Sequence, residues 1–157
     1  MDTDLERLGR AVKQAQHRQH RAADRALNDI GTTLVQWDAL RAIEAEPGAS
    51  AHRLALATFQ TDQAFGTLAN RLEAQGMIER RAGEGRRVEH RLSAAGKDML
   101  ARGRVVTERV RAELYAGIGK SDRRTLAALL ERVLADDAAS GLTLAGQNKK
   151  GRPKAAP

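Results

Sequence analysis

Arginine is concentrated in one short stretch, where two glycines separate two pairs of arginines. These are Arg80, Arg81, Arg86 and Arg87. Guanidinium groups bind phosphate oxygens and insert into the minor groove of DNA. Gly83 and Gly85 supply the permissive backbone of a tight connection, so residues 77–81 and 87–92 are predicted to form a hairpin. Its tip suits a nucleic acid, although a solvated basic hairpin has the same composition.

A helix is predicted immediately before this hairpin. Small and apolar residues recur in it at helical spacing, namely Ala64, Leu68, Ala69 and Leu72. Thr61 or Asp62 opens this helix, and Gly76 ends it. Because a partly exposed helix fits the major groove, the helix and the hairpin together favour double-stranded DNA as a partner.

A shorter helix comes before that one. Ser50 is a good N-cap for residues 51–57, in which Leu54 and Leu56 are expected to reach the interior. Only residues 58–61 link the two helices, which is the spacing of a helix-turn-helix. With the hairpin after them, the two helices predict a winged helix-turn-helix.

Long helices are predicted towards both ends of the chain. From Leu5 onward, apolar or small residues recur at intervals of three and four and form a narrow seam. Ser93 caps another long helix that closes at residues 117–119, with buried positions predicted at Met99, Val106, Val110, Leu114 and Ile118. Ser121 opens a last helix, whose apolar face is formed by Leu126, Leu129, Leu130, Val133 and Leu134. The central unit is too small to cover these seams, so pairing with a second copy is expected.

The composition narrows the class of protein. Lys and Arg total 27 against 20 Asp and Glu, and the net charge of +7 favours a polyanionic partner. Aromatic residues make up 3%, which argues against the stacking platforms that bind single strands. The chain has no cysteine, no Ser-His-acid spacing and no glycine-rich phosphate loop, so neither enzyme activity nor a cofactor is expected. No apolar run suits a signal peptide or a membrane span, so a cytoplasmic protein without membrane contact is expected.

Two features admit both a functional and a structural interpretation. His17 and His20 share one helix face, as half of a metal site would. No cysteine or pair of carboxylates nearby completes such a site, so solvated or hydrogen-bonded histidines are expected. Trp37 lies in an amphipathic helix capped by Thr32 or Thr33, where a lone tryptophan is more often part of the core than of a ligand pocket.

The pattern over about residues 5–137 resembles the MarR family of bacterial winged helix-turn-helix transcription regulators. The family's run from its second helix to its wing aligns without a gap on residues 32–81, and SAAGKDML is similar to its post-wing TPEGRALL. The matching framework elements are Gln36-Trp37, Pro47-Gly48, Asn70-Arg71-Leu72-Glu73, Gly76, Glu79-Arg80-Arg81 and Gly96.

This resemblance implies a mainly α fold with a small β-wing, formed as a single domain over residues 1–140. The winged helix-turn-helix occupies residues 33–92, and dimerisation helices over residues 3–30 and 93–137 flank it. The resemblance also implies a homodimeric regulator, most often a repressor, at the nucleoid. Its operator is expected to be a pseudo-palindrome with half-sites about 34 Å apart.

The wing of the family carries Asp-x-Arg, and Glu84-Gly85-Arg86 occupies those places. Arg86 is therefore implied to enter the minor groove, with Arg87 as substitute and Glu84 bracing the arginine. In the recognition helix Gln63 can bond adenine, and Thr67 or Ala64 can contact a thymine methyl. Phosphate contacts are expected from His52, Arg53, Arg71 and Arg80, and Thr61, Asp62 and Arg81 complete the interface. Gly66 costs the helix about 1 kcal/mol, which indicates close approach of a partner to its backbone.

The tail, residues 141–157, lacks apolar periodicity and is expected to be disordered. Gly151-Arg152-Pro153 resembles the core of an AT-hook, a segment that lies in the minor groove of A·T-rich DNA. The surrounding lysines are Lys149, Lys150 and Lys154. A basic tail with only nonspecific attraction to phosphate is the alternative.

The resemblance further implies a small anionic or aromatic effector between the dimerisation helices and the winged unit. The candidate contacts are His17, His20, Trp37 and Arg41. Two other functions stay open. One is a nucleoid-associated architectural protein that coats A·T-rich DNA with its wing and tail, and the other is a protein-interaction module with no role on DNA.

Overall fold

The computed structural model describes the backbone of residues 3–140 and the side chains of residues 3–135. Its helices are α1 (Thr3–Asn28), α2 (Leu34–Ala45), α3 (Ala51–Ala57), α4 (Asp62–Ala74), α5 (Ala94–Leu114) and α6 (Lys120–Ser140). Strands β1 (Ile78–Ala82) and β2 (Val88–Leu92) form an antiparallel sheet between α4 and α5. Ile78 pairs with Leu92 and Ala82 with Val88. The predicted mainly helical fold with a two-stranded wing is confirmed.

Side-chain caps set the starts of the helices in the winged unit. Thr33 accepts a hydrogen bond from the backbone N–H of Gln36 at 3.2 Å, and the Gln36 side chain accepts one from the Thr33 N–H, which forms a capping box. Ser50, Thr61 and Ser93 each accept from the backbone N–H three residues later. These four predicted caps are therefore confirmed, whereas α6 begins at Lys120 and not at Ser121 as predicted.

Some boundaries differ from the prediction. Each strand begins one residue later, because the Met77 N–H donates to Leu72 at the end of α4 and the Arg87 N–H donates to Glu84 within the turn. Helix α5 ends at Leu114, where the N–H of the capping residue Tyr115 donates to Arg111. The predicted continuation to residues 117–119 is wrong.

The core lies between the end of α1, helices α2 to α5 and the start of β1. Its largest fully buried apolar side chains are Phe65, Leu27, Leu40, Ile43, Leu54, Leu72 and Leu100. Trp37 is buried, and its Nε1 donates to the Leu100 carbonyl at 3.2 Å, so the expected core position is confirmed. Leu56 is 48% exposed and does not reach the interior. The reason is geometric, since residues two apart lie about 200° apart around a helix.

The loop before α3 anchors the base of the wing. The Gly48 N–H donates to the His90 carbonyl at 2.9 Å, and the His90 N–H donates to the Ala49 carbonyl at 3.3 Å. β2 therefore pairs with β1 on one side and contacts this loop on the other, which attaches the sheet to the helices.

The terminal helices keep large apolar side chains exposed in the single chain. Leu5, Leu8 and Val12 of α1 are all exposed, as is every predicted apolar position of α6. In α5 Met99 is buried, but the predicted buried positions Val106, Val110 and Leu114 are only half-buried, as is Ile118 beyond the helix. None of the helices between residues 3 and 140 is both long and apolar enough to cross a membrane.

Candidate nucleic-acid interface

Helix α4 has one face in the core and the other in solvent. Phe65, Leu68, Ala69 and Leu72 are buried, whereas Gln63, Ala64, Thr67 and Arg71 are exposed. Thr61, whose hydroxyl accepts from the Ala64 N–H at 3.1 Å, uses its side chain to cap the helix. The predicted base-reading residues therefore share one accessible face, at the end of the helix whose N–H groups favour an anion.

The hydroxyl of Thr67 is already engaged within the helix. Its Oγ1 donates to the Gln63 carbonyl at 3.1 Å. Its methyl group and its acceptor lone pairs remain available to a partner. A Cβ added at Gly66 would meet nothing within 4 Å, so packing inside the protein does not require glycine there.

The tip of the wing is a tight turn from Glu84 to Arg87. The Arg87 N–H donates to the Glu84 carbonyl at 3.3 Å, and Gly85 has a φ of 66°, which the first central residue of a type II′ turn needs. The carboxylate of Glu84 makes no hydrogen bond or ion pair with the described side chains, those of residues 3–135. The expected bracing of Arg86 by Glu84 is therefore absent from this stretch.

The four arginines nearest the tip of the wing have different surroundings. Arg80 forms an ion pair with Glu73 of α4, and Arg81 pairs with Glu79 at 2.7 Å. The Nη2 of Arg87 donates to the Gly48 carbonyl at 3.0 Å. Arg86 is exposed, and its guanidinium has no partner in the part of the chain that the structure describes. Arg86 is thus the wing arginine that can bind a phosphate or a groove without breaking an internal contact.

The expected phosphate contacts around α3 are paired with carboxylates. The Nδ1 of His52 lies 3.0 Å from Oδ1 of Asp62, and Arg53 donates from Nη2 to Glu46 at 2.9 Å. The hydrogen bond and charge of Glu46 raise the pKa of Arg53. Arg71 is exposed and unpaired within the described residues. His52, Arg53 and Asp62 would have to exchange these partners to meet DNA, whereas Arg71 would not.

A cavity of about 700 Å³ lies between α1, α2 and α5. Three of the four expected effector contacts, His20, Trp37 and Arg41, line it, whereas His17 lies outside it. The guanidinium of Arg41 lies 5.8 Å from the centre of the Trp37 ring. Arg111 was not predicted from the sequence, although it also lines the cavity. Its side chain has no partner among the side chains of residues 3–135.

His17 and His20 are not joined into a metal site within the described stretch. Among the side chains of residues 3–135, no group of three or more His, Cys, Asp or Glu is arranged to hold an ion. The positions of the basic tail, Lys149, Lys150, Arg152, Pro153 and Lys154, lie outside the described residues.

A buried histidine was also missed. His90 is 2% exposed, its Nδ1 lies 3.0 Å from the Ala49 carbonyl, and its ring meets that of Phe65 edge-on at 6.1 Å. Because a carbonyl oxygen only accepts, Nδ1 carries the proton. Alternation along β2 places His90 on the face of Leu92, and this signal could have revealed it.

Comparison with known proteins agrees with this geometry. A sequence profile described as MarR family matches residues 30–87. The HTH-type transcriptional repressor Rv2887 of Mycobacterium tuberculosis is 30% identical over 113 residues, which cover 71% of this chain and 81% of the relative.

Solved structures give the same result. The crystal structure of Rv2887 with salicylic acid matches with a TM-score of 0.68 at 27% identity, over 80% of this chain and 95% of the other. Its complex with DNA matches equally, at 25% identity over 80% and 96%. A mutant of MarR from E. coli complexed with operator DNA has the same fold, with a TM-score of 0.77 at 21% identity over 83% and 96%. The chain belongs to the MarR family of winged helix-turn-helix transcription regulators.

Proposed function

We propose that the protein is a homodimeric repressor that binds a pseudo-palindromic operator and is released by a small aromatic acid. The observation that carries the proposal is the unpaired Arg86 at the tip of a wing that is anchored to the same unit as α4. Gln63 and Thr67 would read bases from the exposed face of that helix. Arg86 would enter the adjoining minor groove and Arg71 would bind phosphate.

The structure changes the roles that we propose for some residues. Arg80 and Arg87 have partners inside the protein, so we assign them to holding the wing in position. Thr61 caps α4, and Asp62 with His52 fixes the start of α4 against α3. We propose no catalytic step, because repression requires binding alone, and we place the protein at the nucleoid, in the cytoplasm.

Dimerisation would use the apolar side chains that the single chain leaves exposed on α1 and α6. We propose that residues 3–30 and 93–137 form this part, and that residues 33–92 form the DNA-binding unit of a single domain. Val133 is 65% exposed, so Val133→Asp should leave the fold of the chain intact. We expect this variant to sediment as a monomer at micromolar concentration. It should also lose operator affinity, since a monomer contacts only one of the two half-sites.

The operator sequence can be determined by selection. The full-length protein is used to select duplexes from a random-sequence library, and the selected site is then footprinted. We expect a pseudo-palindrome whose half-sites are about one helical turn apart and a specificity ratio of at least about 10³. Gln63→Ala should relax the preference at one base position in each half-site. If the selected duplexes shared no sequence, a repressor of this kind would be contradicted and the architectural alternative would be favoured.

The proposed effector site is the cavity between α1, α2 and α5. The solved structure of Rv2887 contains salicylic acid, and such an acid could place its carboxylate near the unpaired Arg111 and its ring near Trp37 and Arg41. Release of DNA requires that the ligand bind one separation of the two recognition helices better than the other. The ligand would act through α1 and α5, which join the dimer interface to the winged unit.

Calorimetry with salicylate tests this site. We expect Arg111→Gln to weaken salicylate binding about tenfold, because a charge-assisted hydrogen bond contributes about 1.5–3 kcal/mol. The matched control is Arg109→Gln on the same helix, since Arg109 does not line this cavity. If both variants bound salicylate as tightly as the wild type, the assignment of Arg111 would be contradicted. If operator binding were intact in that case, the DNA-binding proposal would stand without the effector site.

A further inference from the structure

Phe59 lies in the turn between α3 and α4, and its backbone and side chain are both unusual. Its φ is 56°, and it is the one non-glycine residue with a positive φ among residues 3–140. Its side chain is 89% exposed, more than any other large apolar side chain in the described part of the chain. An aromatic ring thus projects from the connection of the helix-turn-helix.

The hydrogen bonds of the turn explain the backbone conformation. The Phe59 N–H donates to the Leu56 carbonyl at 3.2 Å, and the Gln60 N–H donates to the Ala55 carbonyl at 2.9 Å. This pair of bonds is the Schellman motif, in which the residue after the cap adopts the left-handed conformation and is usually glycine or asparagine. Phenylalanine is disfavoured there, since its Cβ crowds the backbone and its ring buries almost no surface.

Hydrogen bonds within the turn also hold the backbone from which the ring projects. The Thr58 hydroxyl donates to the Leu54 carbonyl at 2.8 Å, and the Gln60 side chain donates to that hydroxyl at 3.1 Å. Because these bonds hold the backbone of the turn, a partner would meet Phe59 on a preformed backbone, and little backbone entropy would be lost on binding.

We propose that Phe59 is an additional operator contact and that its ring packs against the 5-methyl group of a thymine beside the bases read by α4. This proposal rests on the proposed function and deepens it. Phe59 precedes Thr61, the N-cap of α4, by two residues, a chain distance of at most about 7 Å. The first residues of a recognition helix contact base edges, and phenylalanine recognises the thymine methyl.

A protein partner fits these observations less well. A stable protein interface buries more than about 1,000 Å². Within residues 51–74, the only exposed large apolar side chain other than Phe59 is Leu56. The ring is also continuous with the exposed start of α4, which is the DNA-facing end in the proposed function. A single exposed ring at this position suits a contact within a larger DNA interface.

Substitution of Phe59 tests the proposal, because operator affinity should fall while thermal stability is kept or increased. Phe59→Gly and Phe59→Asn suit the left-handed position, so we expect Tm to stay the same or to rise by about 2–4 °C. Affinity for the duplex that the wild type selects from a random library should fall about fivefold or more. The control is Leu56→Ala, whose affinity should match the wild type.

Replacing thymine by deoxyuridine in the selected duplex removes the proposed contact from the DNA side. The wild type should lose about fivefold at one thymine in each half-site, whereas Phe59→Gly should lose nothing further there. The proposal would be overturned if Phe59→Gly bound the selected duplex as tightly as the wild type does. It would also be overturned if each thymine-to-deoxyuridine replacement weakened binding equally in the two proteins. A loss of affinity accompanied by a fall in Tm in both Phe59→Gly and Phe59→Asn would also overturn it. If the wild type itself selected no duplex, the proposed function would fail.

Discussion

The side chain of Arg80, in β1, donates from Nε to Oε2 of Glu73, in α4, at 2.9 Å. The same residues also form an ion pair through the terminal nitrogen of Arg80. This contact joins the wing to the last turn of the helix that exposes Gln63 and Thr67. The two parts of the proposed DNA interface are therefore connected by a side-chain contact as well as by the backbone.

The Glu73→Gln substitution tests this connection through its pH dependence. The hydrogen bond from Arg80 holds the pKa of Glu73 below its ordinary value of 4.5. A lowered folded-state pKa gives stability that is present above the unfolded pKa and lost as pH falls through the folded pKa. We expect the wild type to unfold at a slightly higher urea concentration than Glu73→Gln near pH 7. This difference should shrink as the pH falls below 4.5 and should vanish below the lowered pKa of Glu73.

Urea titrations between about pH 3 and pH 7 measure that difference. Glu79→Gln is the matched control, because Glu79 pairs with Arg81 within β1 and does not join two elements. We expect Glu73→Gln, but not the control, to weaken operator binding a few-fold at pH 7. A stability difference that is the same at every pH would contradict the role of the charged pair.

The sequence predicted those parts of the fold that depend on local signals. Thr33, Ser50, Thr61 and Ser93 cap helices because a side-chain oxygen can satisfy a backbone N–H only three residues away. Gly76, with a φ of 71°, ends α4 for an equally local reason. The order of the helices and the wing followed from these signals and from apolar spacing.

What the sequence did not predict depends on contacts between distant residues. Arg80 was expected to bind phosphate. Its partner is Glu73, and the two residues meet only because the wing packs against α4. The contact of Arg87 with Gly48 joins residues 39 positions apart, and no local pattern indicates it. Arg86 could be chosen over Arg87 from family resemblance alone, and the structure supplies a physical reason for that choice.

Gly96 should not tolerate a larger residue. A Cβ at this position would lie 2.0 Å from the backbone carbonyl oxygen of Met77, and a backbone atom cannot move aside as the end of a side chain can. We expect Gly96→Ala to lower the free energy of unfolding by about 1–3 kcal/mol or more, as overpacking does. Urea denaturation measures the change. The exposed neighbour Ala95 provides the control, Ala95→Ser, for which less than about 1 kcal/mol is expected.

Gly66→Ala should separate stability from DNA binding. The added Cβ meets nothing within 4 Å inside the protein, and alanine favours a helix over glycine by about 1 kcal/mol. We therefore expect the free energy of unfolding to rise by about 0.5–1 kcal/mol. Operator affinity should nevertheless fall, because the sequence interpretation places DNA close to this part of the backbone. A variant that is more stable and binds as well as the wild type would show that Gly66 is not near the duplex.

Arg86→Ala and Arg81→Ala compare an unpaired arginine of the wing with a paired one. Arg86 has no partner within the described residues, so its loss should leave stability unchanged and should weaken operator binding about tenfold. Arg81, although it is 66% exposed, is paired with Glu79 at 2.7 Å, and its removal should cost far less affinity. Fluorescence anisotropy over a range of salt concentrations measures both effects. If Arg86 lies against phosphates in the minor groove, the plot of log affinity against log salt should be less steep by about 1 in Arg86→Ala. Equal slopes and affinities for the two variants would mean that the wing meets DNA through another side chain.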